Sequence, residues 1–175
     1  MKKAKQIIEQ KDAIAGKWFD LIIKSYPEQS YKHLKVGRKQ FSNPIGYTIF
    51  HESQIILEQL TGDFDKAVMS DAIRNIIKIR AVQDFSASEA CMFMFQLKDV
   101  LYDIFDKETS HKYFDDVFKR IDAAALMAFD IYMESKELLY SIKANEIKKR
   151  TFKMIDRLNR KYEMLDDDEI DERDM

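Results

Sequence analysis

Apolar side chains recur at three- and four-residue steps along most of the chain. Ile7, Ile14, Trp18 and Ile22 form the first such stripe, through Lys11, and predict a helix over about residues 3–25 that Pro27 ends. The polar stretch from Glu28 to Ser42 carries Gly37 and reads as a loop with a short helical turn. Asn43-Pro44 opens a second helix, because Asn caps well and Pro lacks only an N–H that the first turn does not use. Its apolar positions are Ile45, Ile49, Ile56, Leu57 and Leu60, and Thr61-Gly62-Asp63 stops it. A third helix is expected from about Asp65 to Asp84, with Val68, Ala72, Ile76 and Ile79 facing inward. Ser86 and Glu89 have the spacing of a capping box. The helix they open has a wide apolar stripe, Ala90, Phe93, Met94, Leu97, Val100, Leu101 and Ile104, and ends near Asp106.

From Lys112 to Leu165 there is no Gly or Pro. Phe114, Phe118, Ile121, Ala125, Ala128, Tyr132 and Leu139 keep helical periodicity. A continuous helix over this stretch would be about 80 Å long at ~1.5 Å per residue. Ile121–Met133 is apolar on nearly all sides, so deep burial is expected. Beyond Leu139 the pattern thins to a weak a/d seam of Ala144, Ile147, Thr151, Met154, Leu158 and Leu165, with Lys161 at a d position. Charge separates here as well. Residues 143–161 hold eight Lys or Arg against two acids, and 166–174 hold seven acids against one Arg.

Composition agrees with an all-α chain. Only 4 Gly and 2 Pro occur in 175 residues, too few for the turns of a many-stranded sheet, and 46% apolar content suffices for a core. A formal net charge of −2 gives no generic attraction to nucleic acid or membrane. The basic stretch lacks the aromatic interleaving of a single-strand binder, which disfavours nucleic acid. No apolar run approaches the ~20 residues of a membrane span, and Met1–Gln10 has no continuous apolar stretch of a signal peptide. The cytoplasm is the simplest location. Cys91 is the sole cysteine, which excludes an internal disulfide, and its apolar helical setting makes it a packing residue.

Catalytic constellations are not visible. His33, His51 and His111 are far apart and form no ligand pair, Glu108 to His111 is one Glu-x-x-His where a di-metal bundle site needs two, and no phosphate loop, dinucleotide fingerprint or nucleophile elbow is present. His51 beside Glu52 reads as a surface pair rather than a base. No enzyme activity, metal or cofactor is expected; a haem ligand among the histidines is the minority reading. Two polar features lie on apolar surfaces. Arg80 and Gln83 follow an apolar helix face, and Asp122 and Asp130 flank Ala123–Phe129. A buried charge needs a partner, so one reading is an Arg80–Asp ion pair that sets helix register. The other is a small ligand pocket in which Arg80 and Gln83 join Trp18, Phe50, Phe93 and Tyr132.

Several stretches resemble one known family. They are Phe41-Ser42-Asn43-Pro44-Ile45-Gly46, Ile79-Arg80-Ala81-Val82-Gln83 running on to Ser86-Ala87-Ser88-Glu89-Ala90, Phe95-Gln96-Leu97-Lys98, and Arg120-Ile121-Asp122 through Phe129-Asp130-Ile131-Tyr132-Met133. In this order, over about residues 10–160, they resemble the N-terminal domain of the RsbRD class of RsbT co-antagonist proteins. The resemblance implies a non-catalytic sensor module of stressosome proteins. It further implies a globin-like fold without haem, dimerisation, and a last helix leading to a STAS output domain, which is not expected here. The chain then divides into a helical sensor-like domain over 1–142, a projecting basic helix over 143–165 and an acidic disordered tail over 166–175. Signalling would pass by protein binding and a homodimer, with Ile147, Arg150, Met154 and Leu158 as contact candidates. The alternative is a small-molecule or haem carrier, or an accessory subunit of a redox complex.

Overall fold

Side-chain caps open three of the helices, at Asn43, Asp65 and Ser86. The computed structural model describes residues 9–35, 40–83, 85–105 and 107–171, with side chains of the last stretch described over 115–162. Six helices appear there and no strand. Helix α1, Lys11–Lys24, ends at Ser25, whose N–H reaches the Ile22 carbonyl at 3.3 Å. It buries Ile14, Ala15, Trp18, Phe19, Ile22 and Ile23. Ile7 and Gly37 lie outside the described residues. Helix α2, Glu28–Lys35, replaces the loop expected there. Pro27 supplies the reason: its carbonyl accepts the Tyr31 N–H at 2.9 Å, so the proline that ends α1 also begins a new turn.

Helix α3, Pro44–Thr61, opens as its sequence predicts. The Asn43 Oδ1 accepts the Gly46 N–H at 2.9 Å, and its Nδ2 donates to the Leu34 carbonyl at 2.8 Å. Helix α4, Lys66–Val82, is capped by Asp65, which accepts from the Ala67 and Val68 N–H groups. That cap sets the phase of the helix so that Met69 points inward, while Val68, expected inside, is 40% exposed. Helix α5, Ala87–Ile104, carries the complete capping box. The Ser86 Oγ accepts the Glu89 N–H, and the Glu89 carboxylate accepts the Ser86 N–H at 2.8 Å.

Helix α6 runs from Lys107 to Asp171. Backbone contacts divide the chain into two units, 1–136 and 137–175. In the first, α1 packs against α2, α3 and α5, α4 against α3 and α5, and α2 against α3. A Lys11–Glu58 ion pair joins α1 to α3 at the surface. The 107–136 part of α6 is tied to this bundle by specific contacts. Lys98 meets Asp122 at 2.6 Å, Arg74 meets Glu134 at 2.9 Å, and the Tyr102 and Phe118 rings lie 5.1 Å apart. Arg120 donates to the Gly62 carbonyl at 2.9 Å, placing a cation at the negative end of α3.

Burial of this stretch is one-sided. Ile121, Ala124, Ala125, Ala128, Ile131 and Tyr132 are buried, but Leu126 is 71% exposed, and Phe129 and Met133 are also exposed. Deep burial of all of Ile121–Met133 is therefore corrected. The buried face carries Ala124, Ala125 and Ala128, and the opposite face stays open. The second unit is helical to Asp171, and its described side chains at 141–162 are all exposed.

Candidate functional site

The last turn of α4, the end of α1 and the start of α5 converge on one side chain. Arg80 is 1% exposed. Its Nη2 donates to Ser25 Oγ at 2.7 Å and to the Glu89 carbonyl at 3.2 Å. Its Cζ lies 4.5 Å from the Phe85 ring centroid, 5.4 Å from Tyr26 and 5.8 Å from Phe93. The guanidinium thus sits in a cage of three aromatic rings, whose faces attract a cation. Among the described residues no carboxylate bridges to it. The Arg80–Asp pair weighed as a register device is replaced: Asp122 engages Lys98, and Asp130 is exposed.

Local structure explains the placement. Met69, Ala72, Ile73, Ile76, Ile77 and Arg80 lie on the buried side of α4, so helical phase carries Arg80 inward. Ser25, just past α1, also donates its hydroxyl to the Ile22 carbonyl at 2.6 Å, which holds its oxygen where it can accept from Arg80. Burial pushes the Arg80 guanidinium below its ordinary value, opposed by nearby Tyr26, Cys91 and Glu89. Arginine keeps its proton even so, because its starting value is far above neutrality. Burial raises the Tyr26 phenol, with Arg80 opposing. The Ser86 hydroxyl and N–H hold the Glu89 carboxyl below its ordinary value.

Of the predicted pocket residues, most come together. Trp18 stacks on Phe93 with centroids 6.0 Å apart, and its Nε1–H donates to the Phe93 carbonyl at 2.6 Å. Tyr132 donates its hydroxyl to the Phe85 carbonyl at 2.6 Å and so fixes the chain segment that carries the Phe85 ring. Gln83 lines a neighbouring cleft of about 390 Å³ together with Ser25, Tyr26, Pro27, Ser30, Phe85 and Glu89. Phe50 lies against Phe19 instead, edge to face at 5.6 Å. Tyr26, Phe85 and Ser25 were not singled out in the sequence. The signal for them was weak: they are the residues that follow a helix end or precede a capping box, where chains turn inward.

Cys91 is 6% exposed, and burial pushes its thiol up to about 11. At about pH 8 a thiol reagent is expected to modify the native protein far more slowly than the urea-unfolded chain. Equal rates would place the sulfur at the surface. The same shift fixes a sign for stability. The folded thiol holds its proton between 9.0 and about 11, where an unfolded one loses it. This contribution is therefore complete below 9.0 and declines as pH rises through about 11.

The histidines are placed apart from this region. His33 is exposed on α2. His51 is exposed, stacks on Tyr47 at 5.6 Å, and its Nδ1 lies 3.5 Å from Glu52. The His111 side chain lies outside the described residues. In the second unit, Ile147, Met154 and Leu158 are 66%, 61% and 50% exposed. Arg150 is exposed beside them, and the Lys148 ammonium lies 5.9 Å over the Phe152 ring.

No helix among the described residues is long and apolar enough to cross a membrane. No curated protein and no solved structure matches the chain. A family model does, that of the RsbT co-antagonist protein RsbRD N-terminal domain, over residues 12–147. The match takes in α1 to α5, the Arg80 cage, and the part of α6 that packs on them. All four stretches singled out in the sequence fall within it, and with most of its length so matched the chain belongs to the RsbRD N-terminal domain family.

Proposed function

We propose that this chain is a non-catalytic signalling domain of the stressosome type, cytoplasmic, that passes its signal by binding protein. Family membership supports the signalling role. The observation that carries the binding mode is the second unit's run of exposed apolar side chains. Ile147, Met154 and Leu158 are joined by Phe152, Ile155 and Tyr162, all 48% exposed or more. Exposed apolar residues at seven-residue spacing, such as Ile147 and Met154, are covered when a second helix lies alongside. The flanking basic residues favour a partner surface with acidic groups. A homodimer through this stretch is the simplest arrangement, with Arg150 at its edge.

Light scattering at roughly micromolar concentration tests this reading, since a functional dimer must hold in that range. The wild-type chain is expected to be dimeric. Met154→Asp with Leu158→Asp is expected to give a folded monomer with the urea transition of residues 1–136 retained. A wild-type monomer would overturn the reading, and so would a double variant that remains dimeric.

A further inference from the structure

Four buried side-chain polar atoms among the described residues have no hydrogen-bond partner, and they cluster in one place. They are Tyr26 Oη, Arg80 Nε, Arg80 Nη1 and Gln83 Oε1. Buried polar groups are normally satisfied, so several orphans together call for a missing partner. Arg80 makes the imbalance acute. A guanidinium has five N–H donors. Nη2 uses its two on Ser25 and Glu89, which leaves the one on Nε and both on Nη1 without an acceptor. Among the described residues, the positive charge has neutral groups for all its hydrogen-bond partners.

The cleft beside it is large enough for a small organic molecule. Ser25, Tyr26, Phe85 and Glu89 line it and also contact or surround the guanidinium, so Arg80 stands directly behind its wall. Its volume of about 390 Å³ falls in the range of ligand sites. We propose that this cleft binds a small hydroxy- or amino-carboxylate. The carboxylate displaces the half-buried Phe85 ring from over the guanidinium and accepts from the free N–H groups of Arg80 behind it. The ligand's hydroxyl or amino group donates to Gln83 Oε1, and its carbon body lies against Tyr26 and Phe85. Glu89 selects against more highly charged anions: a phosphate dianion would lie near its carboxylate, whereas a carboxylate carries one charge, and an amino group on it gains from the proximity. The site's role as the input of the domain rests on the signalling reading above; the binding chemistry does not.

The test uses the full chain and four probes, acetate, lactate, serine and leucine, at constant ionic strength, with phosphate and sulfate as comparison anions. Trp18 is the sole tryptophan and stacks on Phe93, which faces Arg80, so its fluorescence reports occupancy. Calorimetry checks the stoichiometry. The expected result is saturable one-to-one binding of lactate, serine or leucine with Kd of about 1 mM or tighter. Acetate, which has no donor for Gln83, should bind more weakly.

Arg80→Met should weaken binding by at least about tenfold, the loss of one charge-assisted hydrogen bond. Gln83→Leu, at a half-buried position, should erase the preference for lactate over acetate. Should Arg80→Met fail to fold, Gln83→Leu decides the matter: a preference for lactate over acetate that it leaves unchanged overturns the site. Absence of saturable binding by every carboxylate also overturns it, as does equal binding of sulfate and phosphate, which marks an adventitious anion only. Light scattering on the same samples reads the oligomeric state separately, so loss of the ligand site and loss of the dimer are distinguishable.

Discussion

Trp18→Ala is expected to lower the unfolding free energy by ~3–5 kcal/mol, the range for emptying a large aromatic position in a core. A domain of this size has about 5–15 kcal/mol in total, so the variant should lie near the edge of folding at room temperature. The magnitude follows from the position. Trp18 is 0% exposed on α1, the helix that packs against α2, α3 and α5. Removing the indole takes away the stack on Phe93 and leaves a void that rigid helices on three sides close only in part. It also removes the donor to the Phe93 carbonyl. Trp18→Phe separates these terms. It retains most of the ring and loses the N–H, and the Phe93 carbonyl can still accept within α5, so about 1–2 kcal/mol should be lost. Urea denaturation followed by circular dichroism reads both values without relying on indole fluorescence. A Trp18→Ala loss below about 1 kcal/mol would contradict the central place of α1 in the core.

Legibility from sequence follows the range of the interactions. Asn43, Asp65 and Ser86 cap helices through bonds spanning two or three residues, and each helix start was readable from local pattern. The stripes of α1, α3 and α5 were readable for the same reason, because periodicity reports which face is apolar. It does not report which face finds a neighbour. Ile121–Met133 is apolar nearly all round, so pattern gave no means of telling that Ala124, Ala128 and Ile131 turn inward while Leu126, Phe129 and Met133 stay open. Arg80 could be marked as a polar residue on an apolar face, but its environment could not be. Its hydrogen-bonding serine lies 55 residues earlier, and two of its three rings come from segments between helices. The rule that a buried charge must meet an opposite charge pointed to an aspartate. Three ring faces and two oxygens without formal charge hold it instead, and that shortfall is what the proposed carboxylate would fill.

Gly46→Ala should destabilise the wild-type chain and stabilise an Asn43→Ala variant, a reversal of sign that follows from one contact. Asn43 is buried and joins two helix ends. Its Oδ1 accepts the Gly46 N–H, and its Nδ2 donates to the Leu34 and His33 carbonyls at the close of α2. Asn43→Ala leaves these groups without partners and should cost ~1–3 kcal/mol. A Cβ on Gly46 would lie 2.4 Å from Asn43 Nδ2, 2.8 Å from Cγ and 2.9 Å from Oδ1. Atoms do not approach so closely, so alanine there must drive the Asn43 side chain from all three bonds. Helix propensity acts in the opposite direction, since alanine inside a helix is better than glycine by about 0.5–1 kcal/mol. In wild type, loss of the cap outweighs that gain. With Asn43 already replaced by alanine, the obstructing amide is gone and only the gain remains. A double-mutant cycle by urea denaturation should therefore give a coupling of ~1–3 kcal/mol. Additive losses would mean that Gly46 is required for its own backbone rather than for the room it leaves Asn43. Coupling of the expected sign would explain, by cap geometry alone, why asparagine and glycine stand three residues apart in a stretch that carries the family resemblance.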